Sequence, residues 1–451
     1  MPNRYTYSEP HLSLWQSAVA EVHRRRVSVE HRTAMVTLRR KPRRPLLAEE
    51  DLMAPVHLLG MPITAKQPIV PERLFAAPSG IAPRTVGGVV VDCAKIAAEF
   101  LWAEITGNHA KSEELAGELK DSVCDVGWGE CVTTYLAFKA SGGQLPYRAN
   151  LNPVFDLGPR TKLAIVGDWG TGDEVAINVL QQVAALQPDV LLHLGDVYYA
   201  GTQSEEQSNF LDICREVLGS GILLFSLCGN HDMYSGGQGY YWLVDQLSQQ
   251  ASYFCLQNDA WQFLAMDTGH NDNNPFDVAT NMTSVNAGEV NWLLSKISST
   301  GGPRTVLLSH HQLFSPFGSV GSVNGQAQAY NPNLFTSFQS IVGKIVLWFW
   351  GHEHTLAVYD PYMGLQRGRC IGASAVPVFT AQQSYTTASG LATFNNLPLP
   401  TWNPQGIVGN NGTDYFHCFA FMTLTGTAAQ VDYYQVPILG AAQKLPVSDQ
   451  V

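Results

Sequence analysis

The sequence predicts an α/β fold built on a layered sheet, and three observations carry that expectation. From about Thr161, short apolar runs of strand composition alternate with stretches of helical apolar spacing. Five strand runs end in clusters of Asp, Asn or His. In such sheets ligands bind at the carboxyl ends of strands, so the clusters converge on one region. The 451 residues are 45% apolar and 14% charged, a soluble globular balance with room for one large domain and a smaller one.

The elements follow in order. "TKLAIVGD" (161–168) reads as a strand ending in a loop, and "DEVAINVLQQVAALQ" (173–187) as a helix. "DVLLHLGD" (189–196) is a strand, "EEQSNFLDICREVL" (205–218) a helix, and "ILLFSLCGNHD" (222–232) a third strand. "SYFCLQN" and "WQFLAMD" read as a hairpin of strands. "NAGEVNWLLSKI" (286–297) is a helix with Asn286 as its cap. "RTVLLSHH" and "KIVLWFWGHEH" return to strands, and "RCIGASAVPV", "FHCFAFMTL" and "AAQVDYYQV" complete the tail. Residues 1–155 differ: two helical stretches (89–105 and 112–123) follow a Pro-rich connection. They read as a helical extension of unknown role, with the layered domain at 156–451.

Composition excludes some classes. No apolar run approaches the roughly 20 residues of a membrane helix. The opening "MPNRYTYSEPHLSLWQ" has no basic start followed by an apolar core, so the cytoplasm is the expected compartment. Net charge is −11. Residues 1–66 hold 11 Lys/Arg against 6 Asp/Glu, and the remainder 16 against 32, so the body is acidic and argues against a nucleic-acid partner. The basic stretches at 23–26 and 38–45 read first as solvated segments, with phosphate or lipid contact as the alternative. Eight scattered cysteines form no CxxC or zinc-finger spacing, and only Cys124 and Cys131 are close enough in sequence to suggest a bridge.

The five strand ends are "GDWG" (Asp168), "GDVYY" (Asp196), "GNHD" (Asn230, His231, Asp232), "SHH" (His310, His311) and "GHEH" (His352, His354). Carboxylate, amide oxygen and imidazole together suit hard and borderline metal ions, not a thiolate site. Glycine precedes the acid, amide or imidazole in four of them, where the chain must turn sharply.

In order and spelling these blocks resemble the calcineurin-like metallophosphoesterases over residues 161–355. That resemblance implies a four-layer α/β/β/α sandwich and two metal ions that clamp displacement at phosphorus. Asp196 would bridge the ions, Asp168 and His354 would hold the first, and Asn230, His310 and His352 the second. A metal-activated hydroxide would attack the phosphoester, first of all a small-molecule phosphomonoester. A diester of a nucleotide or lipid headgroup is the alternative, and a scaffold without catalysis the rival outside enzymology. His231 would contact the phosphoryl group or protonate the leaving oxygen, with Asp232 orienting it.

One departure matters. The superfamily's first motif is commonly Asp-x-His, and here it is Asp168-Trp169-Gly170. The purple acid phosphatase branch shows the same loss, with GDxG first and GDxxY second. Its tyrosine binds ferric iron as tyrosinate. In that register the ligand is Tyr199, with a packing tyrosine as the plainer reading. The implied cofactors are Fe(III) with Fe, Zn or Mn, or else two divalent ions such as Mn or Zn.

Plainer roles compete elsewhere. His311 is either a supporting residue or a core histidine, His193 lies within a strand and reads as structural, and His270 reads as a loop residue. Trp169 either floors the site or packs. The glycine-rich stretches at 234–242 and after His311 either wall the pocket or merely connect. No extra histidine or acid just beyond His310 matches the family's substrate residues, which argues against a mammalian-type monoesterase pocket.

Overall fold

The computed structural model describes residues 134–135, 138–139 and 141–451, apart from 276–277, 279, 298–301 and 379. The two expected helices of the extension, the basic stretches, and Cys93, Cys124 and Cys131 lie outside the described residues. The chain divides into two compact units at Gln144/Leu145. The second unit, Leu145–Val451, begins eleven residues before the boundary expected at 156 and takes in the first strand, β1 (Val154–Asp156).

The remaining strands are β2 (Lys162–Val166), β3 (Val190–His193), β4 (Leu223–Ser226), β5 (Phe254–Gln257), β6 (Trp261–Ala265), β7 (Arg304–Leu308), β8 (Gly321–Val323) and β9 (Gln326–Gln328). Then follow β10 (Ile345–Trp350), β11 (Leu356–Val358), β12 (Gly368–Ile371), β13 (His417–Thr425), β14 (Ala428–Val436) and β15 (Gln443–Gln450). One sheet has the order β1-β5-β6-β7-β10-β12-β11, the other β15-β14-β13-β2-β3-β4. β2, β3 and β4 run parallel, as do β6, β7, β10 and β12. The expected hairpin is present as the antiparallel pair β5–β6, and β13 and β14 also pair antiparallel.

Side-chain alternation makes the layers. Leu163 and Ile165 of β2 join Phe263, Val306, Leu347 and Met422 in a core between the two sheets. Their neighbours Ala164 and Val166 face outward, into a cluster with the helix α1 (Glu174–Ala185). Helix α1 starts where the Asp173 carboxylate accepts the Ala176 amide, and it buries Ala176, Val179, Leu180 and Val183, one helical face. Val179, Leu180 and Val183 each contribute roughly 1.5–3 kcal/mol when fully buried. α2 (Asp212–Leu218) packs on the same side through Ile213 and Cys214. Two short helices, α3 (His231–Tyr234) and α4 (Gln238–Gln246), follow β4. The other sheet turns Leu264, Leu307, Trp348 and Trp350 outward, toward Leu293 of α5 (Ala287–Lys296) and Leu334 and Phe338 of α6 (Pro332–Phe338). The four layers are therefore α/β/β/α, as expected.

Two local expectations change, and one strand is added. The helix expected at 205–218 is a single turn, Gln203–Glu205, then a π-helical turn, Glu206–Leu211, and only then α2. Glu205 sets where the first turn begins, because its carboxylate turns back to accept the amides of Tyr199, Ala200 and Thr202. Asn286 stands at the start of α5, but its side chain makes no capping hydrogen bond. β15 went unpredicted because Pro446 interrupts it, a residue that edge strands tolerate. Among the described residues no helix is long and apolar enough to cross a membrane.

Candidate metal centre

The five predicted clusters follow β2, β3, β4, β7 and β10, so they meet where the carboxyl ends of the two sheets come together. Asp168, Asp196 and His352 each hold a left-handed backbone, at φ 54°, 74° and 64°. Non-glycine residues rarely adopt it, and it commonly marks strained functional turns. Of the motif glycines, Gly195 also turns through positive φ, 106°. Gly229 is needed for space: a Cβ there would lie 2.1 Å from Asp196 Oδ1.

The donors fall into two groups. In the first, the Tyr198 hydroxyl lies 3.2 Å from Asp168 Oδ1, 3.3 Å from Asp196 Oδ2 and 3.2 Å from His354 Nε2. His354 Nε2 is 3.4 Å from Asp168 Oδ1. In the second, Asn230 Oδ1 lies 3.0 Å from His310 Nε2 and 2.9 Å from His352 Nδ1, and the two imidazole nitrogens are 3.2 Å apart. His310 Nε2 is also 3.4 Å from Asp196 Oδ1. Asp196 therefore gives one carboxylate oxygen to each group.

The donor chemistry fits cations. His310 Nδ1 donates to the Leu194 carbonyl at 2.9 Å, which leaves a bare lone pair on Nε2. Asn230 Nδ2 donates to the Tyr234 hydroxyl at 2.6 Å, which turns the amide oxygen inward. Lone pairs of His310, Asn230 and Asp196 thus point at one another, an arrangement a cation between them resolves. Among the described residues the ion-pair partners of Asp168 and Asp196 are histidines alone. Burial, then Asp168 and Asp232, push the Asp196 carboxyl well above the usual range. Burial, then Asp168 and Asp196, do the same to the Tyr198 phenol. Burial, then neighbouring imidazoles, hold His310 and His352 well below theirs. These groups crowd negative charge and neutral nitrogen into a dry space; positive charge there would offset the upward shifts of Asp196 and Tyr198 and keep the imidazoles neutral, as ligands must be.

At two positions the geometry differs from the expected one. The sequence reading placed Tyr199 beside the first group, but the structure brings the Tyr198 hydroxyl there. Tyr199 contributes its backbone: its amide donates to Glu205 and its carbonyl accepts from His231 Nδ1 at 2.7 Å. Glu205 thus holds the loop in a register that sends the preceding phenol inward. The contact that holds His231 Nδ1 is the Tyr199 carbonyl, where the sequence reading expected Asp232 to orient the ring. The Asp232 carboxylate instead accepts the amides of Gly229 at 2.6 Å, Val197 at 2.9 Å and Asp196 at 3.1 Å, binding two ligand loops together. Its carboxyl is pushed upward by burial against those amides.

His231 Nε2 faces Asp196 Oδ2 at 3.9 Å, and its ring lies between Tyr198 and Tyr234. Burial lowers its pKa to about 3, against the Tyr199 hydrogen bond and with His354 adding to the fall. His311 sits beside the second group, its ring 4.3 Å from that of His352. Both its nitrogens are engaged, Nδ1 at 2.9 Å from Thr268 Oγ1 and Nε2 at 3.0 Å from Asp272 Oδ2. His193 is a core residue on Ser226, and Trp169 packs with its indole on the Ala176 carbonyl. His270 lies against Tyr147. Sequence reasoning passed over Tyr234, although its place four residues after Asn230 at the start of a helix is the spacing at which side chains meet.

The family model of the calcineurin-like phosphoesterases matches residues 161–356. No curated protein sequence matches the chain. Similar solved structures include a purple acid phosphatase from yellow lupin (Lupinus luteus) seeds, at 14% identity and TM-score 0.42, covering 67% of this chain and 55% of that one. A structure of PhoD is 10% identical at TM-score 0.44, covering 67% and 70%. A dimetal phosphatase from Danio rerio is 13% identical at TM-score 0.38, covering 65% and 99%. This chain thus spans about half of the lupin enzyme, and at these TM-scores the likenesses carry no argument of their own.

Proposed function

Because this chain carries a calcineurin-like phosphoesterase domain over residues 161–356, we propose that it hydrolyses phosphoesters, phosphomonoesters first, at a centre of two metal ions. The observation that supports this reading best is the division of the Asp196 carboxylate between two donor groups. Asp168, Asp196, Tyr198 and His354 would hold one ion, and Asp196, Asn230, His310 and His352 the other. When bound, such ions acidify water and neutralise charge on the phosphoryl oxygens.

The remaining work falls to the chain. Left-handed turns at Asp168, Asp196 and His352 fix the donors before substrate arrives, so little reorganisation is needed during reaction. His231, held through Nδ1 by the Tyr199 carbonyl, presents Nε2 to a phosphoryl oxygen or to the leaving oxygen. The phenolate of Tyr198 is a hard anionic donor, which favours Fe(III) at the first position and a divalent Fe, Zn or Mn at the second. Two carboxylates, one phenolate and the hydroxide nucleophile carry four negative charges against five on such a pair. The centre stays net positive and attracts a monoester dianion more strongly than a diester monoanion.

Turnover of p-nitrophenyl phosphate against its bis ester tests the substrate class. Faster monoester turnover is expected. Diesterase activity alone would overturn the monoester assignment, and purified protein without stoichiometric metal or hydrolysis would favour a scaffold.

A further inference from the structure

We propose that Tyr234 is a positioning residue that fixes which end of the Asn230 amide faces the second metal ion. The two ends of a carboxamide have nearly the same shape but opposite chemistry: the oxygen is a ligand and the NH2 group is a donor that repels cations. Asn230 sits at the N-terminal boundary of α3, and Tyr234 is the last residue of that short helix, one turn on. The Asn230 Nδ2 donates to the Tyr234 hydroxyl at 2.6 Å. On the opposite end, Oδ1 faces His310 Nε2 and His352 Nδ1 at 3.0 and 2.9 Å. Tyr234 is 1% exposed, and its ring packs 4.8 Å from that of His231, so the hydroxyl is held rather than free to swing. Without it, a flipped amide would set NH2 against the site and cost the second ion a ligand.

This inference rests on the two-ion reading, and its test separates the two. Titration calorimetry of Mn(II) into metal-stripped full-length protein reads both sites directly. In Tyr234→Phe, which keeps the ring, affinity at one site should fall roughly 10- to 100-fold, as for loss of other groups that orient ligands. The other site should stay within about twofold. In an Asn230→Asp background the same change should have little effect, because a carboxylate presents oxygen whichever way it turns. Equal losses in both backgrounds, or an unchanged isotherm in Tyr234→Phe, would overturn the assignment while leaving the metal centre intact. Wild-type protein that binds no metal would overturn both. A second measurement does not depend on Tyr234→Phe folding: the Asn230 side-chain amide signal, assigned by its loss in Asn230→Asp, should be protected from hydrogen exchange in wild type. Rapid exchange there also rejects the proposal.

Discussion

The hydroxyl of Tyr198 lies 3.2 Å from Asp168 Oδ1, on the same loop pair in which Gly170 stands where the superfamily commonly has histidine. The backbone of Val197 bridges to that of Gly170, so the phenol reaches the site from beside the vacated position. If the first ion is Fe(III), the protein should show a visible tyrosinate charge-transfer band that disappears in Tyr198→Phe and survives in Tyr199→Phe. The reverse pattern would return the role to Tyr199. Colourless active protein with two zinc or manganese ions would remove iron from the account.

Asp232 binds together the loops that carry Asp196 and Asn230, through the amides of Gly229, Asp196 and Val197. Asp232→Asn should therefore lower metal affinity, by roughly 10- to 100-fold. Had Asp232 acted only by orienting His231, the same change would slow turnover and leave metal affinity untouched. Metal titration beside steady-state kinetics separates the two roles.

Gly229 has no room for a methyl group, because its Cβ would meet Asp196 Oδ1 at 2.1 Å. Gly229→Ala should displace the shared carboxylate and cut kcat on the order of 100-fold, the scale of a misplacement near 1 Å. Normal kinetics in a folded Gly229→Ala variant would show that Asp196 has no fixed place in the chemistry.

Away from the site, Arg369 of β12 pairs with Asp449 of β15 through two 2.7 Å hydrogen bonds, tying one sheet to the other. The Tyr433 hydroxyl closes on the same carboxylate at 2.5 Å. Burial raises the Asp449 carboxyl, but Arg369 and Tyr433 pull it below the usual range overall. A depressed carboxyl stabilises the fold above its unfolded pKa of about 3.9, and that contribution is lost as pH falls through the folded value. Asp449→Asn should cost about 3–5 kcal/mol in denaturant unfolding at neutral pH, by leaving Arg369 buried and unpaired. The gap from wild type should narrow in acid, while metal stoichiometry at neutral pH stays unchanged. A constant gap across pH would contradict the pairing.

Much of this architecture was legible because it is written in short-range patterns. β2, β3, β7 and β10 are apolar runs that stop at a polar cluster, and the hairpins β5–β6 and β13–β14 are neighbouring runs with short turns. Asp168, Asp196, Asn230, His310, His352 and His354 could be singled out because each stands directly after such a run. What stayed hidden depends on contacts between distant segments. Tyr198 and Tyr199 are adjacent aromatics, and Glu205 and the carbonyl bonded to His231 decide which phenol turns inward. Asp232 follows His231 in sequence, yet its three amide partners include two from the loop 35 and 36 residues earlier. β15 is fixed by pairing to β14 and by Arg369, neither of which its own eight residues reveal.

The most direct test of the central claim is anomalous scattering from crystals of the metal-loaded protein. The account predicts two peaks, roughly 3.5–4 Å apart as in other two-metal sites, with the Asp196 carboxylate between them. One peak should touch Asp168, Tyr198 and His354, and the other Asn230, His310 and His352. A single peak, or two that do not share Asp196, would contradict it.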